Sequence, residues 1–472
     1  MKSSIDAAID RYLAEHRAAI VEDLKTLVSI PSVSGHAEGA FPFGKGCAAV
    51  LDAALAMAEK KGLQVSNHGY YYGLAECGEG DKTIGIFSHL DVVPEGNGWV
   101  YSPYRPVEQE GCLIGRGVAD NKSAAVAGVY VMDFLRRSEL ALSSRIRLYF
   151  GCSEETGMDD IAHFVAEQPM PDFSIVPDTD FPVCHGEKGI LEMEFCCDTP
   201  FSRILEFSGG LVSNMVPDSA RAVLVCRANE AEELKALAAG NDAISVRLRD
   251  GSAEVVMAGK SSHAAHPDGS INAVQQLAAF LSAATILPES DRDILSFASR
   301  TLADTTGEVI SIAASDAPSG ALTCISGVAS LIHGALKLNF NIRYPVTDKG
   351  ERVIAGMCGY FAAAGWSERF CSDSAPAYLP KDDPMVQQLC RCYSEITGRD
   401  STPYVMGGGT YARKLKNAIG FGMESDRKLP LKLPEGHGGV HQPDEAIFLD
   451  DILEAIKIYI LSMVEIDRIL NK

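Results

Sequence analysis

Residues 83–94 read TIGIFSHLDVVP, a short apolar run that ends directly in a histidine and an aspartate. The run Thr83–Ser88 favours a β-strand, and it breaks at His89-Leu90-Asp91. The same arrangement recurs downstream, because the strand-like run Arg145–Phe150 breaks into the polar segment CSEETG. Polar side chains that follow buried strands are typical of functional sites in α/β proteins. The pattern therefore indicates both a fold class and the place of a site.

Strand-like and helical stretches alternate on either side of this segment. Helical periodicity covers residues 5–28 and Asn121–Arg137, and a further strand is predicted at Phe173–Val176. Strands that alternate with helices in this way predict an α/β fold with a mostly parallel sheet.

The pattern changes near Gly186 to strands with clear two-residue alternation, of which Ala335–Arg343 is an example. It returns to the α/β style after about residue 380. We therefore expect one α/β domain, formed by residues 1–185 and 381–472. An α+β domain of residues 186–380 is expected to be inserted into it.

Composition places the chain among ordinary soluble globular proteins. Of its 472 residues, 46% are hydrophobic and 22% are charged, and the formal net charge is −21. A chain with this negative charge repels phosphate backbones and anionic lipids. We therefore expect neither nucleic acid nor membrane partners. The first residues lack the apolar core of a signal peptide, and the thirteen cysteines have no C-x-x-C spacing. These features favour a cytoplasmic protein with reduced thiols.

Acidic residues and histidines fall where the predicted strands end. In chain order they are His89 and Asp91, Glu154 and Glu155, and Asp178, with Asp120 at the start of a predicted helix. The carboxyl ends of parallel strands meet at one edge of a sheet, so these side chains are expected to converge. Each alone has an ordinary explanation, such as a helix N-cap for Asp120. Together they indicate one site.

The donor types predict a hydrolytic metal centre. Imidazole and carboxylate without thiolate suit zinc, manganese or cobalt in an open site. Four of the residues, His89, Asp120, Glu155 and Asp178, make five ligands with one further histidine. Five are too many for one tetrahedral ion with a free position, and enough for two ions about 3.5–4 Å apart that share a carboxylate.

A hydrolytic water also needs a base that takes its proton and passes it to the leaving amine. Glu154 is the natural candidate, because it is adjacent to the predicted ligand Glu155. Asp91, two residues after His89, is expected to hydrogen-bond that imidazole and orient it.

Ten ordered motifs resemble those of the dinuclear-metal exopeptidases that include aminoacylase, carboxypeptidase G and carnosinase. They are SHLDVVP (88–94), GRGVADNK (115–122), SEETG (153–157), PDTDFP (177–182), GEKG (186–189), SNMVPD (213–218), GKSSHAAHPDGSINA (259–273), NIRYP (341–345), GGGTYAR (407–413) and HQPDE (441–445). The resemblance covers essentially the whole chain and is nearest to the bacterial PepV-type dipeptidases, whose lid is long. It implies a phosphorylase/hydrolase-like catalytic domain with a mixed, mostly parallel sheet, and a ferredoxin-like lid.

The resemblance also implies a role for each matching position. In the catalytic domain, Asp120 would bridge two metal ions, with His89 and Asp178 on one and Glu155 and His441 on the other, Glu154 as general base and Asp91 as the acid that orients the histidine. In the lid, His263 would stabilise the oxyanion, Asn214 would hold the substrate and Arg343 would clamp its carboxylate. Gly408, Gly409 and Thr410 would bring the backbone close to the substrate.

Some positions leave alternatives open. His266 follows His263 by three residues, and His437 precedes His441 by four. Arg343 ends a predicted strand and would pair with a surface acid if it did not hold the substrate. Asn121 stands where many relatives have aspartate, which removes a negative charge beside Asp120 and bears on the metal preference.

The leading hypothesis is a metal-dependent dipeptidase that acts on unblocked dipeptides with two divalent ions, of which zinc is expected first. The length of the insertion resembles that of the PepV type, in which a second half of the lid replaces the partner subunit of shorter-lidded relatives, so the resemblance implies a monomer. An N-acyl-amino-acid deacylase or succinyl-diaminopimelate desuccinylase would use the same ligands and base. A non-catalytic peptide- or metal-binding relative would have lost a ligand or the base, and all are present.

Overall fold

The computed structural model describes residues 2–138, 140, 142–249, 251–423 and 427–472. Its helices are α1 (Lys2–Val28), α2 (Lys45–Lys60), α3 (Lys122–Arg137), α4 (Asp159–Glu167), α5 (Ala228–Ala238), α6 (Ala273–Ser282), α7 (Glu289–Leu302), α8 (Gly350–Ala363), α9 (Pro384–Thr397) and α10 (Leu449–Leu470), and a 3-10 helix covers Tyr411–Lys414. Its strands are β1 (Gln64–His68), β2 (Tyr72–Cys77), β3 (Thr83–His89), β4 (Val107–Gln109), β5 (Cys112–Ile114), β6 (Arg145–Gly151), β7 (Phe173–Val176), β8 (Cys184–Glu187), β9 (Gly189–Cys197), β10 (Ile204–Gly209), β11 (Ser219–Val225), β12 (Ile244–Arg249), β13 (Ser252–Ala258), β14 (Ser315–Asp316), β15 (Gly320–Ala321), β16 (Thr323–Ile332), β17 (Ala335–Tyr344), β18 (Trp366–Ser374), β19 (Ala377–Tyr378), β20 (Tyr404–Met406), β21 (Ala418–Gly420) and β22 (Ala446–Phe448).

The chain forms two compact units. Unit 1 consists of Met1–Gly186, Ala377–Tyr404 and Thr410–Lys472, and unit 2 of Glu187–Pro376 and Val405–Gly409. The division into domains at 1–185, 186–380 and 381–472 stays a prediction. The five residues of Val405–Gly409 belong to unit 2 although their neighbours in sequence belong to unit 1, which the sequence pattern did not indicate.

Unit 1 is built on a mixed sheet with the strand order β1-β2-β6-β3-β7-β21-β8-β19. The central strands β6, β3, β7 and β21 are parallel. The strands beyond them, β2 and β8, pair antiparallel with their inner neighbours. The predicted α/β class with a mixed, mostly parallel sheet is confirmed.

Apolar side chains on both faces of this sheet explain why its central strands are nearly continuous hydrophobic runs. Residues of α1, α2, α3, α9 and α10 share one buried cluster with the strands. Aromatic residues of the strands, among them Phe87 and Tyr149, join Phe164 of α4 in a second cluster. Strands that are covered on both faces carry apolar residues along their whole length, so polar residues follow only where the chain leaves the core. In register, His89 of β3 lies beside Gly151 of β6.

Unit 2 is built on an antiparallel sheet with the strand order β12-β13-β11-β10-β16-β17-β9-β18. Apolar residues of α5, α6, α7 and α8 share its buried cluster, which is the predicted α+β arrangement. The alternating run at 335–343 forms β17, and it pairs with β16 and β9. Asn272 caps the N-terminus of helix α6, because its side chain accepts the N–H groups of Val274 and Gln275.

Within the described ranges, no helix combines the length and the apolar character that a bilayer-spanning helix requires. The C-terminal helix α10 instead places Ile456, Tyr459 and Met463 in the core of unit 1.

Candidate active site

The histidine that ends β3 is buried, and Asp91 contacts the ring nitrogen that faces away from the site. His89 Nδ1 lies 2.9 Å from the backbone oxygen of Asp91 and 3.4 Å from Asp91 Oδ1. Asp91 also accepts the backbone N–H groups of Glu154 and Glu155, each at 3.1 Å. It therefore ties the end of β3 to the turn that follows β6, and His89 Nε2 is left to face the site.

Asp120 lies between two histidines. Its Oδ1 is 2.8 Å from His89 Nε2, and its Oδ2 is 2.9 Å from His441 Nε2. Asp178 Oδ1 lies 3.5 Å from the same nitrogen of His89, and Glu155 Oε1 lies 3.0 Å from His441 Nε2. The five side chains thus form two imidazole–carboxylate groups joined through one shared carboxylate.

These donors fit divalent metal ions. Each of two sets, His89 with Glu154 and Asp178, and His89 with Asp120 and Glu155, offers ligand atoms within 4.8 Å of one another. Among the described residues, His89 Nε2 and Asp120 Oδ1 are buried and lie 2.8 Å apart, but the contact between them lacks hydrogen-bond geometry. Buried polar atoms rarely lack a hydrogen bond, so this unsatisfied pair is an arrangement that a cation would complete.

Electrostatics favour the same conclusion. Burial, and next the charge of Asp178, raise the pKa of Glu154 well above its ordinary value. Burial is also the largest cause that raises the pKa of Glu155 and of Asp178. Burial alone would lower the pKa of His441, but its hydrogen bonds to Asp120 and Glu155 raise it to about 11. Carboxylates outnumber cations here, and divalent positive charge would relieve their repulsion.

Glu445 supports the turn that carries Asp120, a role that the sequence analysis did not assign. Its Oε1 accepts the backbone N–H groups of Ala119 and Asp120 at 2.9 and 3.1 Å. Its Oε2 accepts Arg116 Nη1 at 2.7 Å and the Gly117 N–H at 3.2 Å. The signal in the sequence was an acid inside the HQPDE motif.

Asn121 joins three segments of the site. Its Nδ2 donates to the Pro177 carbonyl at 2.6 Å and to Asp178 Oδ1 at 2.9 Å, and its Oδ1 accepts the His89 N–H at 3.3 Å. An amide both donates and accepts, whereas an ionised aspartate only accepts. Asn121 therefore contributes two donor bonds that a carboxylate at this position cannot make.

The predicted lid residues Asn214, His263 and Arg343 lie in unit 2. The Ala264 N–H donates to the Asn214 carbonyl at 2.8 Å, and Met215 pairs with His263 in a β-bridge, so the first two lie on adjacent segments. Arg343 is buried, its Nε donates to Asn341 Oδ1 at 2.8 Å, and its Nη1 donates to the Gly407 carbonyl at 2.8 Å.

The glycine run and the histidine segment meet in the same unit. A Cβ on Gly407 would lie 2.6 Å from the Cβ of Ala265, two residues after His263. Gly408 and Gly409 follow in unit 2. Thr410 belongs to unit 1, where its Oγ1 accepts the Ala412 N–H at 3.1 Å and begins the 3-10 helix.

The competing histidines have other surroundings. His437 Nδ1 lies 2.6 Å from Asp444 Oδ2, whereas His441 faces Asp120 and Glu155. The backbone N–H of His266 donates to the His263 carbonyl at 2.9 Å.

One buried and one half-exposed imidazole, grouped with carboxylates around the shared Asp120, are typical of the class of metal-dependent hydrolases. Within that class, the chain belongs to peptidase family M20/M25/M40, whose profile matches residues 85–464. The resemblance drawn from the sequence motifs is confirmed, and the chain is a hydrolase of peptide bonds.

Two curated relatives cover nearly the whole chain. One is described as the putative dipeptidase YtjP of Bacillus subtilis (strain 168), 32% identical over 90% of this chain and 92% of its own. The other is the Beta-Ala-Xaa dipeptidase of Lactobacillus delbrueckii subsp. lactis, 30% identical over 95% of this chain and 96% of its own.

Two solved structures share the fold. The aminoacylhistidine dipeptidase from Vibrio alginolyticus has a TM-score of 0.58 at 15% identity, covering 95% of this chain and 96% of its own. Human carnosine dipeptidase 1 has a TM-score of 0.57 at 16% identity, covering 98% of this chain and 99% of its own.

Proposed function

We propose that this protein is a metal-dependent dipeptidase that hydrolyses the peptide bond of unblocked dipeptides. The observation that carries the proposal is the pair of imidazole–carboxylate groups joined through Asp120, with Glu154 next to one of them. The dipeptidase names of relatives that match over nine-tenths of the chain support the substrate class.

Two divalent ions would be held in unit 1. His89, Asp120 and Asp178 would hold one, and Asp120, Glu155 and His441 would hold the other. Zinc is the first expectation, and manganese or cobalt accept the same donors. When bound, two such ions polarise the scissile carbonyl and make the attacking water more acidic.

Glu154 would take the proton of the attacking water and deliver it to the leaving amine. Its backbone is fixed by the Asp91 carboxylate, which also holds Glu155 and lies behind His89. Asp91 thus positions the base Glu154 and the two ligands Glu155 and His89. An efficient hydrolytic site requires this kind of preorganisation.

The unit 2 residues would bind the dipeptide. His263 would stabilise the oxyanion, Asn214 would hold the substrate, and Arg343 would clamp the terminal carboxylate through charge-assisted hydrogen bonds. Asn341 and the Gly407 carbonyl support the last role, because they fix two nitrogens of the guanidinium. Gly408, Gly409 and Thr410 would bring the backbone to the ligand. The protein would work as a monomer in the cytoplasm.

The test compares unblocked dipeptides, β-alanyl dipeptides included, with their N-acetylated counterparts. The protein is stripped of metal, re-supplied with zinc, manganese or cobalt, and amino-acid release is measured. We expect release from the unblocked set alone. Release from the N-acetylated set alone would transfer the protein to the deacylases. No release from either set, with metal bound, would favour a binding protein.

A further inference from the structure

A buried aspartate supports the turn that carries Glu154 and Glu155. Asp160 Oδ2 accepts the backbone N–H groups of Cys152 at 2.6 Å and Ser153 at 2.9 Å. These two residues directly precede Glu154 in the chain, and Asp160 itself is fully buried at the start of α4. The direction in which Glu154 leaves the turn therefore depends on where the Asp160 carboxylate lies.

A tyrosine hydroxyl fixes that carboxylate. Tyr411 Oη donates to the same Asp160 Oδ2 at 2.5 Å, and Tyr411 is fully buried. A Cβ on Gly151 would lie 1.9 Å from this hydroxyl oxygen, so the last residue of β6 has no side chain where the hydroxyl lies. The Tyr411 ring also packs edge-on against His89 and Tyr149, with 6.4 and 5.4 Å between ring centroids.

We propose that Tyr411 is a positioning residue for hydrolysis, which acts through Asp160 on the turn 152–155. Two backbone N–H groups and one phenol donate to a single oxygen of the Asp160 carboxylate. Without the phenol, that oxygen would be bound only by the two N–H groups of the turn, and nothing outside the turn would fix its position. Side-chain networks of this kind orient a catalytic group without touching it. The inference rests on the proposed function, in which this turn carries both the base Glu154 and the ligand Glu155.

The test removes the hydroxyl and keeps the ring. Tyr411→Phe is assayed as the metal-loaded protein on the dipeptide that the wild type cleaves fastest. Loss of an orienting hydrogen bond is expected to lower kcat about ten-fold, with KM and metal content unchanged. A merely structural tyrosine would lower the melting temperature and leave kcat per folded molecule at the wild-type value, which would overturn the proposal.

The chain offers a matched control. Tyr12 donates to Asp133 Oδ2 at 2.8 Å in another buried tyrosine–aspartate pair of unit 1. Tyr12→Phe is expected to lower the melting temperature by a similar amount and to leave kcat unchanged. An equal fall of kcat in both variants would show a general loss of stability and would overturn the positioning role.

A double-mutant cycle tests whether Tyr411 acts through Asp160. Asp160→Asn is combined with Tyr411→Phe, and Asp160→Glu replaces it if the amide variant does not fold. The double variant is expected to be no slower than the Asp160 variant alone, because both changes release the same turn. Multiplying losses would overturn the connection. Glu154→Gln in the same assay separates the two hypotheses, since wild-type turnover there contradicts the base role and not the positioning of the turn.

Discussion

The two histidines that face Asp120 have contrasting surroundings. His89 ends a central strand, its side chain is 1% exposed, and both Asp91 and Asn121 hold it. His441 lies in a loop with a positive φ of 63°, and its side chain is 51% exposed. Both present Nε2 to the same carboxylate. One half of the site is therefore part of the core, whereas the other half lies on a partly exposed loop.

The largest effect is expected where the two halves meet. Asp120→Ala removes the carboxylate that both histidines face, so both ions should be lost and kcat/KM should fall at least about 10³-fold. Metal content by mass spectrometry and dipeptide turnover check this. Retention of two ions per chain would contradict the bridging role, and Arg17→Ala, at an exposed ion pair with Asp450, serves as the control.

Separate histidine variants should tell the halves apart. His89→Ala opens a cavity in the core and leaves buried carboxylates unpaired, so the metal-free protein should lose about 1–3 kcal/mol of unfolding free energy. His441→Ala removes a half-exposed side chain and opens no core cavity, but it leaves Asp120 and Glu155 without this partner, so its loss should be smaller, about 1 kcal/mol. Urea unfolding of both variants measures the difference. Equal losses would show that the exposed loop contributes as much to stability as the strand end does.

Chelation should remove the two metal ions at different chelator concentrations. The ion held through His441 is expected to leave at lower chelator concentration, because its ligand lies on an accessible loop. Titration of the zinc-loaded protein with a chelator, followed by metal analysis, should pass through a state with one ion per chain. In His441→Ala that one-ion state should be the starting point. Simultaneous loss of both ions from the wild type would contradict the asymmetry.

The smallest effect on activity is expected at Asn121, on the buried side. Asn121→Asp removes the donor to the Pro177 carbonyl and adds a charge near Asp178, at a cost of about 1–3 kcal/mol in unfolding free energy. Activity should fall less than ten-fold, because every ligand and the base remain. Thermal unfolding and a zinc–manganese comparison check this. A stability equal to the wild type would mean that the two donor bonds of Asn121 contribute nothing measurable.

The sequence predicted most of what lies along single elements. Strand β3 and the residues after it could be predicted because an apolar run ends abruptly in polar residues, and α3 could be predicted from its periodicity. The residues that support the site through hydrogen bonds could not be predicted in this way. Glu445 reaches Ala119, and Tyr411 reaches Asp160, across hundreds of residues, and neither contact leaves a periodic trace. Hydrogen bonds between distant segments appear only when the fold brings them together.

Unit 2 needs the short segment Val405–Gly409 in addition to Glu187–Pro376. A fragment of residues 187–376 would lack the carbonyl of Gly407, to which Arg343 donates, so it is not a self-sufficient module. A chimera that receives this unit from a relative needs the short segment from the same parent. Recombination between two genes at the outer junctions alone would separate partners that belong together. Variation in unit 2 is therefore expected to be inherited together with changes in the five residues of Val405–Gly409, which are encoded after an intervening stretch of unit 1.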